Sequence, residues 1–261
     1  MRTALIVALV VLCSVGALAN SFSGPGNGFV PVKPHSVPGD QPTNVCVFMD
    51  ELPWGYNTVE EVLVAYSVPY DLYNSASMGA VDLSLYDKVI IASNQSDAFY
   101  TNLAAFRARF EDYMDGGGCM LMCCAAYSAS TSYSTVWPGG FTPTTVDCIN
   151  TVQIELPAHG LFNQPMMVVS ADLQGWDCSS HGDFINMPAG PVVLVTNQEF
   201  VFDTPTAFEF DWGMGGALVL NQPIDWVGST HPYAINAILY MCGGSNPVED
   251  STWGIVKALY R

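Results

Sequence analysis

The stretch from Gly116 to Ala126 constrains the fold of this chain more than any other. Three glycines, Gly116 to Gly118, precede a short apolar run that ends at Cys123 and Cys124. An apolar run of this length between turn signals is typical of a strand buried on both faces, as in a parallel sheet covered by helices. Open α/β sheets bind ligands at the carboxyl ends of such strands. The role of the two cysteines at that end is therefore the central functional question.

The order of the other apolar segments predicts the fold class. Strands are predicted at 44–50, 70–74, 88–93, 151–156, 192–196, 206–211 and 217–221. Amphipathic helices are predicted from Thr58, from Ser96 or Asp97, and from Pro232. Strands that alternate with helices, joined by right-handed crossovers, give a doubly wound, mostly parallel α/β sheet flanked by helices. The glycine-rich turn at 213–216 adds a late antiparallel hairpin.

The two ends of the chain are predicted to lie outside this sheet. Residues 1–19 have the pattern of a cleavable signal peptide, with a cut after Ala19, so we expect a secreted or periplasmic protein. Residues 20–43 are predicted to be a flexible leader, residues 44–243 the α/β domain, and residues 244–261 a short tail. That tail either docks on the domain or is recognised by a partner. No later segment is apolar enough to predict a membrane span in the mature chain.

The charge balance restricts the kinds of partner. The chain has 24 acidic residues against 7 Lys and Arg, for a net charge of −17. Such a surface repels phosphate backbones and anionic lipid headgroups, which argues against nucleic-acid and membrane-surface partners. An acidic surface also keeps an exported protein soluble, and this explanation needs no ligand. The sequence indicates no cofactor.

Removing Cys13 with the signal peptide leaves an odd number of cysteines, so an oxidising compartment leaves at least one thiol unpaired within the chain. Four lie in or at the ends of apolar runs, where cysteine usually acts as a small buried hydrophobic residue: Cys46, Cys119, Cys123 and Cys124. Cys148 and Cys178 lie in irregular segments and are the predicted disulfide, if there is one. Zinc-like CxxC spacing is absent, and no metal site is predicted.

Several segments resemble the class I glutamine amidotransferase-like superfamily, whose fold is flavodoxin-like. They are the segment from Tyr86 to Ser93, the long helix, and Gly116 to Gly118 before the buried strand. The turn at 157–161 resembles the family's HP-(I/L) segment, and the segment from Ala217 to Trp226 resembles its late strand. The resemblance covers residues 44–243 and is strongest to secreted, ThuA-like or degenerate members.

The resemblance implies a catalytic triad that this chain does not complete. Cys123 occupies the position of the family's nucleophile, but Met122 and Cys124 replace the small residues that a nucleophile elbow needs. Gln222 stands where the family has its histidine, and Ile224 where it has its glutamate. Without a base, the thiol is mostly protonated at neutral pH. Whether the chain is an enzyme stays open, with the balance against it.

Other side chains offer alternative sites at the strand ends. His181, in a loop with Asp177 and Asp183, is a candidate catalytic partner for Cys123, although such loop residues are more often simply solvated. Candidate ligand-binding residues are Asp50, Glu51, Trp54, Tyr127, Trp137 and Trp176. Their rings suit a sugar face or another flat ligand, but aromatic residues under long loops more often cover the core. His159 and His231 are predicted to serve a turn and a helix cap.

Three functions follow from these residues. The first is a secreted amidotransferase-like domain that has lost its triad, a pseudoenzyme that binds an unknown ligand, carbohydrate or protein. The second is a secreted hydrolase that uses Cys123 with a histidine outside the family pattern, such as His181 or His159. The third is a structural or assembly protein whose tail, residues 247–261, contacts a partner.

Overall fold

The computed structural model describes residues 41–126, 133–144, 148–199 and 203–242. The predicted signal peptide and tail lie outside the described residues, as do Tyr127 and all of the predicted leader except residues 41–43. Within the described part of the chain, no helix combines the length and the apolar character needed to cross a membrane.

Ten strands and four α-helices make up the regular structure of this part of the chain. The strands are β1 (Val45–Phe48), β2 (Tyr70–Tyr73), β3 (Lys88–Ile91), β4 (Cys119–Cys123), β5 (Thr142–Pro143), β6 (Val152–Ile154), β7 (Phe184–Ile185), β8 (Val192–Asn197), β9 (Pro205–Trp212) and β10 (Gly215–Leu220). The helices are α1 (Thr58–Ala65), α2 (Asp97–Asp115), α3 (Ile224–Val227) and α4 (Pro232–Leu239).

Eight of the strands form one sheet in the order β2-β1-β3-β4-β10-β9-β8-β6. The five strands from β2 to β10 are parallel, and β9, β8 and β6 are antiparallel to their neighbours. Strands β5 and β7 pair in a separate small antiparallel sheet. The predicted α/β class and the late hairpin between β9 and β10 are both confirmed.

Strand β4 runs through the middle of the sheet and is buried along its whole length. Its side chains alternate between two apolar cores, because successive residues of a strand point to opposite faces. Leu121 and Cys123 belong to the core that includes residues of α1 and α4. Met120, Met122 and Cys124 belong to the core that includes residues of α2. The two adjacent cysteines therefore face opposite sides of the sheet.

Helix α2 leads into β4 through the three glycines. Ser96 caps the helix by accepting a hydrogen bond from the Phe99 backbone N–H, as the sequence predicted. Gly117 has a φ of +103°, in the left-handed region that favours glycine. A Cβ at Gly118 would lie 2.2 Å from the Tyr113 ring. Gly117 and Gly118 are therefore required by the tight connection between helix and strand.

Two disulfides cross-link the described part of the chain. Cys148 and Cys178 are bonded, as predicted. Cys119 is bonded to Cys242, which corrects the prediction that Cys119 is only a buried hydrophobic residue. The sequence did not predict this bond, because Cys119 lies in an apolar run and its partner is 123 residues away in sequence. The free cysteines among the described residues are Cys46, Cys123 and Cys124, all of them buried.

The buried Lys88 side chain caps the carboxyl end of α4. The Lys88 ammonium group, at the start of β3, donates hydrogen bonds to the carbonyl oxygens of Ala237 and Ile238 at 3.0 and 2.8 Å and to that of Tyr240. These carbonyls lie at a helix end, where backbone acceptors lack helical partners and a cation is favourable. Burial lowers the pKa of Lys88 to about 7.

Candidate functional site

The carboxyl ends of β1, β3, β4 and β10 meet at one edge of the sheet, since these strands are parallel. The segments that follow them contribute the loop at 49–56, the turn at 92–95, the residues after Cys123, and the segment at 221–226. This edge is where a doubly wound sheet binds its ligands.

Cys123 is the last residue of β4 and is completely buried. Burial, and after it the nearby Asp225 carboxylate, raises the pKa of this thiol well above its ordinary value, against a smaller opposing effect of Lys88. Among the described residues, no histidine makes a hydrogen bond to the Cys123 sulfur. Cys124 is equally buried, and burial raises its pKa as well. Burial therefore favours the protonated form of both thiols.

Gln222 and Ile224, which the family resemblance places at the remaining triad positions, make other contacts. The Gln222 amide donates to the Thr206 hydroxyl at 2.8 Å and accepts from the Tyr233 hydroxyl at 3.5 Å. Ile224 is completely buried at the start of α3. Neither side chain can take or donate a proton in catalysis.

A buried carboxyl group lies at the same edge of the sheet. Asp225, in α3, accepts a hydrogen bond at Oδ2 from the Ser93 hydroxyl, which follows β3. Its Oδ1 atom is buried and has no hydrogen-bond partner among the described residues. Burial raises the pKa of this carboxyl from 3.8 to about 6. Sequence reasoning missed Asp225, because a single acid in a short helix carries no pattern.

A second buried acceptor lies four residues earlier. Asn221, directly after β10, donates through its side-chain amide to the Asp183 carbonyl oxygen at 3.3 Å. Its Oδ1 atom is also buried, and no group in the described part of the chain donates to it. A buried acceptor without a donor is costly, so native proteins contain few of them. Together with Ser93, these two side chains form what we call the polar floor of the site.

Four rings stand at this edge, and we call them the aromatic rim: Trp54, Tyr56, His181 and Trp226. Trp54 stacks on His181 with ring centroids 5.4 Å apart and planes inclined by 29°. Tyr56 meets Trp226 edge-on at 5.5 Å. Tyr56 and Trp226 are 44% and 42% exposed. The rim therefore offers apolar ring surface to a ligand.

The rim and the polar floor are connected by direct contacts. The His181 backbone N–H donates to the Asn221 carbonyl oxygen at 2.9 Å, which joins one end of the rim to the floor. At the other end, Trp226 follows Asp225 directly, and the Thr58 hydroxyl donates to the Asp225 carbonyl oxygen at 2.6 Å. The rings and the buried acceptors therefore lie on neighbouring segments of this edge.

His181 lies at this edge without the partners that the sequence suggested. The Asp183 carboxylate accepts a hydrogen bond from the Thr144 hydroxyl, and Asp177 is exposed. No group of three potential metal ligands occurs within the described ranges. Burial lowers the pKa of His181, so its ring is neutral at neutral pH. The structure makes it a stacking partner of Trp54.

The remaining candidates have other roles. Asp50 accepts hydrogen bonds from the Ser75 backbone N–H and hydroxyl at 2.6 and 2.7 Å. Glu51 is exposed, and its carbonyl oxygen accepts from Gln95. Trp137 is completely buried and donates to the Tyr133 carbonyl oxygen at 2.9 Å. It packs within a cluster of aromatic rings and exposes no surface to a ligand.

Trp176 is also buried, on the side of the sheet that carries α4. Its indole donates to the Asp172 carbonyl oxygen at 3.0 Å, and its ring meets His231 edge-on at 5.0 Å. His231 caps α4, and His159 caps the short turn at 160–162, as predicted. The rings of Trp137 and Trp176 therefore cover the core, whereas Trp54 joins the aromatic rim.

A groove of about 470 Å³ lies at the opposite edge of the sheet, beside the amino ends of β3 and β4. Its lining includes Asp82, Asp87, Arg109 and Gly117. The Asp82 and Asp87 carboxylates accept hydrogen bonds from neighbouring backbone and hydroxyl groups, and the Arg109 guanidinium donates to two backbone carbonyls. These charged groups stabilise local turns, so we place the candidate site at the carboxyl edge.

No family model matches the chain. An uncharacterized protein of Clostridium acetobutylicum is 21% identical to it over 215 residues, which cover 78% of this chain. The chain spans only about a fifth, 21%, of that relative's length.

Solved structures show similarity at the level of the fold. A cytoplasmic protein of Salmonella typhimurium LT2 is 11% identical, with a TM-score of 0.50 over 75% of this chain and 98% of that one. A glutamine amidotransferase of Thermotoga maritima is 13% identical, with a TM-score of 0.47 over 70% and 76% of the two chains. A ThuA-like protein of Parabacteroides merdae is 12% identical, with a TM-score of 0.47 over 76% and 89%.

Identities this low concern the fold and say nothing of activity. The strand order of the parallel half, 2-1-3-4, is that of flavodoxin-like sheets. The chain has a flavodoxin-like, doubly wound α/β fold.

Proposed function

We propose that this chain is a secreted amidotransferase-like domain that has lost the catalytic triad and binds a ligand at the carboxyl edge of its sheet. The observation that carries the proposal is the state of Gln222, whose amide is bonded to Thr206 and Tyr233 where a triad would hold its base. A side chain engaged in this way cannot activate a thiol.

The environment of Cys123 supports the same conclusion. Nucleophilic cysteines are partly exposed and lie in surroundings that lower the thiol pKa. Cys123 is completely buried, and both burial and the Asp225 carboxylate raise its pKa. Ligand binding is supported by the aromatic rim, because Tyr56 and Trp226 expose ring surface at the edge where open α/β sheets bind their ligands.

The two disulfides support secretion. Such bonds persist in oxidising compartments and are rare in the cytosol, where thiols are kept reduced. The bonds Cys119–Cys242 and Cys148–Cys178 involve four of the seven cysteines that follow the predicted signal peptide.

Thiol labelling tests the loss of the nucleophile. We expect iodoacetamide at pH 7 to leave Cys123 and Cys124 unmodified in the folded protein over hours and to modify both in urea, as measured by peptide mass spectrometry. The reason is that a buried thiol is both inaccessible and protonated.

The variants Cys123→Ser and Cys124→Ser form a matched pair for activity on ester and amide substrates. We expect the two variants to behave alike and like the parent protein. Rapid alkylation of Cys123 in the folded protein, together with turnover that only Cys123→Ser abolishes, would instead establish the hydrolase.

A further inference from the structure

The groove at the amino edge of the sheet combines apolar and acidic surface, and we call it the amino-edge groove. Its volume of about 470 Å³ lies within the range of about 300–1,000 Å³ that is typical of binding sites. Its lining includes two tyrosines, three aspartates and one arginine: Tyr86, Tyr113, Asp82, Asp87, Asp112 and Arg109. The groove therefore has room for apolar side chains and an excess of negative charge.

Two strongly exposed apolar side chains adjoin the amino-edge groove. Leu85 is 65% exposed and lies in sequence between the lining residues Ser84 and Tyr86. Met214 is 79% exposed, and its Cβ lies 3.9 Å from the place of a Cβ added to Gly117, which also lines the groove. Exposed apolar surface that continues from a cleft is typical of sites that bind another segment of polypeptide.

The part of the chain that the structure describes ends beside this groove. Its last residue, Cys242, is bonded to Cys119, which directly follows the lining residue Gly118. The Tyr113 hydroxyl, also from the lining, donates to the Cys119 carbonyl oxygen at 3.4 Å. The disulfide therefore fixes the point from which residues 243–261 continue at the same edge of the sheet.

The sequence after Cys242 predicts a short amphipathic helix. Ser251 or Thr252 can cap its start. Its apolar residues recur at helical spacing and share one face: Trp253, Val256, Leu259 and Tyr260. An isolated helix of this length is marginal in water, so its formation requires a surface that buries the apolar face.

The charges of this segment complement those of the groove. Residues 251–261 contain two of the seven Lys and Arg residues of the chain, Lys257 and Arg261, and no acidic residue. Lys257 stands four residues after Trp253 and Arg261 four after Lys257, so on a helix both flank the same side of the apolar face. In the groove, three aspartates outnumber one arginine. The opposite charges attract, most strongly at low ionic strength.

The connection to the groove is long enough for docking. Eight residues, 243–250, separate Cys242 from Ser251. An extended chain spans at most about 3.3–3.6 Å per residue, so this connection reaches up to about 28 Å from Cys242. A segment tethered over such a distance has an effective concentration in the millimolar range, so weak contacts suffice to hold it.

We propose that residues 251–261 dock as a helix in the amino-edge groove of the same chain, with Lys257 or Arg261 beside Asp112. Among the acids of the groove, Asp82 and Asp87 accept hydrogen bonds from local backbone and hydroxyl groups, whereas Asp112 is exposed in the last turn of α2. The docked segment leaves the carboxyl edge open, so this inference goes beyond the proposed function and does not depend on it.

Hydrogen exchange, followed by mass spectrometry on the full-length protein, tests docking. We expect the amides of residues 253–261 to exchange at least about tenfold more slowly than those of an unstructured chain, because docking protects the helix from solvent. Trp253→Ala should remove this protection and should also speed exchange in the groove segment at 112–118. Trp253→Phe is the matched control and should lose less than about threefold of the protection, because it keeps an aromatic ring.

A charge exchange between the two partners tests the contact at Asp112. At low ionic strength, Asp112→Lys is expected to reduce the protection of residues 253–261 by about two- to fivefold, the size of an exposed ion-pair effect. Adding Lys257→Glu should restore the protection to within about twofold of the parent protein. Asp203→Lys is the control and should leave the protection unchanged, since this exposed acid precedes β9 at the opposite, carboxyl edge. Unchanged exchange in peptides of β4 and β10 establishes that each variant is folded.

Four results would overturn the inference. The first is exchange of residues 253–261 at the rate of an unstructured chain, and the second is protection that neither Trp253→Ala nor Asp112→Lys reduces. Protection that rises with protein concentration would mean that the segment docks on a second copy. Exchange at 112–118 that Trp253→Ala leaves unchanged, with residues 20–40 protected, would mean that the predicted leader occupies the groove. None of these results bears on Cys123, whose labelling and activity tests decide the proposed function separately.

Discussion

Asp225 holds its carboxyl group inside the protein with the Ser93 hydroxyl as its hydrogen-bond donor. A buried acid of this kind favours its neutral form, because removing a carboxylate from water is costly unless it is paired. The group therefore links the chemistry of the site to the pH dependence of folding.

The contribution of Asp225 to the free energy of unfolding should fall as the pH rises from the ordinary pKa of its carboxyl, 3.8, to its pKa in the folded protein, about 6. Its pKa is about 6 in the folded protein against 3.8 for the ordinary group, so between pH 4 and 6 the folded state binds more protons than the unfolded state. This shift corresponds to about 3 kcal/mol. We therefore expect Asp225→Asn to gain about 2.4 kcal/mol of unfolding free energy relative to the parent protein between pH 4 and pH 7, because the unfolded carboxyl is already partly ionised at pH 4.

Urea denaturation of the parent protein and of Asp225→Asn at several pH values measures the difference between their unfolding free energies. The contributions of the other titrating groups are common to both proteins and cancel in this difference. A difference that stays constant across the range would contradict the account of Asp225.

Among the elements, α4 organises the side of the sheet opposite α2. Its Asn236 side chain is completely buried and holds the segment at 161–166 through three hydrogen bonds. The amide donates to the Leu161 and Met166 carbonyl oxygens, both at 2.7 Å, and its oxygen accepts from the Met166 N–H at 3.1 Å. The sequence predicted the helix but not this anchor, because an asparagine in a helix is more often exposed.

Replacing Asn236 by alanine should destabilise the fold by about 2–4 kcal/mol, since it leaves buried backbone groups without partners. Chemical denaturation measures the loss. Asn163→Ala is the control on the same segment: that side chain is exposed while donating to two carbonyls, and we expect a cost below about 1 kcal/mol. Equal costs for the two variants would show that Asn236 is not the anchor.

At the scale of the whole molecule, the Cys119–Cys242 disulfide joins the start of the central strand to the segment after α4. It closes a loop of 123 residues, whereas Cys148–Cys178 closes one of 30. A longer closed loop removes more conformational entropy from the unfolded chain.

We expect the Cys119→Ala/Cys242→Ala variant to lose about 4–5 kcal/mol of stability and the Cys148→Ala/Cys178→Ala variant about 3–4 kcal/mol, on the basis of loop length. Equilibrium denaturation under non-reducing conditions gives both values. A larger loss for the shorter loop would contradict this order and would mean that local packing outweighs chain entropy.

Pattern in the sequence was sufficient for the fold. Apolar runs, the glycines before β4 and the capping serine of α2 depend on local chemistry, so the eight strands of the large sheet, α1, α2, α4 and the Cys148–Cys178 bond were predictable. The short strands β5 and β7 and the short helix α3 were not. The proposed loss of the triad also comes from the sequence, because neither an amide at Gln222 nor an alkyl side chain at Ile224 can act as a base or an acid.

What only the tertiary structure decided is the environment of each side chain at the carboxyl edge. Burial separates Trp137 and Trp176, which pack in the core, from Trp54, which joins the aromatic rim. It leaves the Asn221 and Asp225 acceptors without donors in the described part of the chain. These properties arise from residues brought together across the sheet, so no local pattern encodes them. The sequence determines that Cys123 ends a buried apolar strand. The groups that surround Cys123 in space determine that its thiol is protonated.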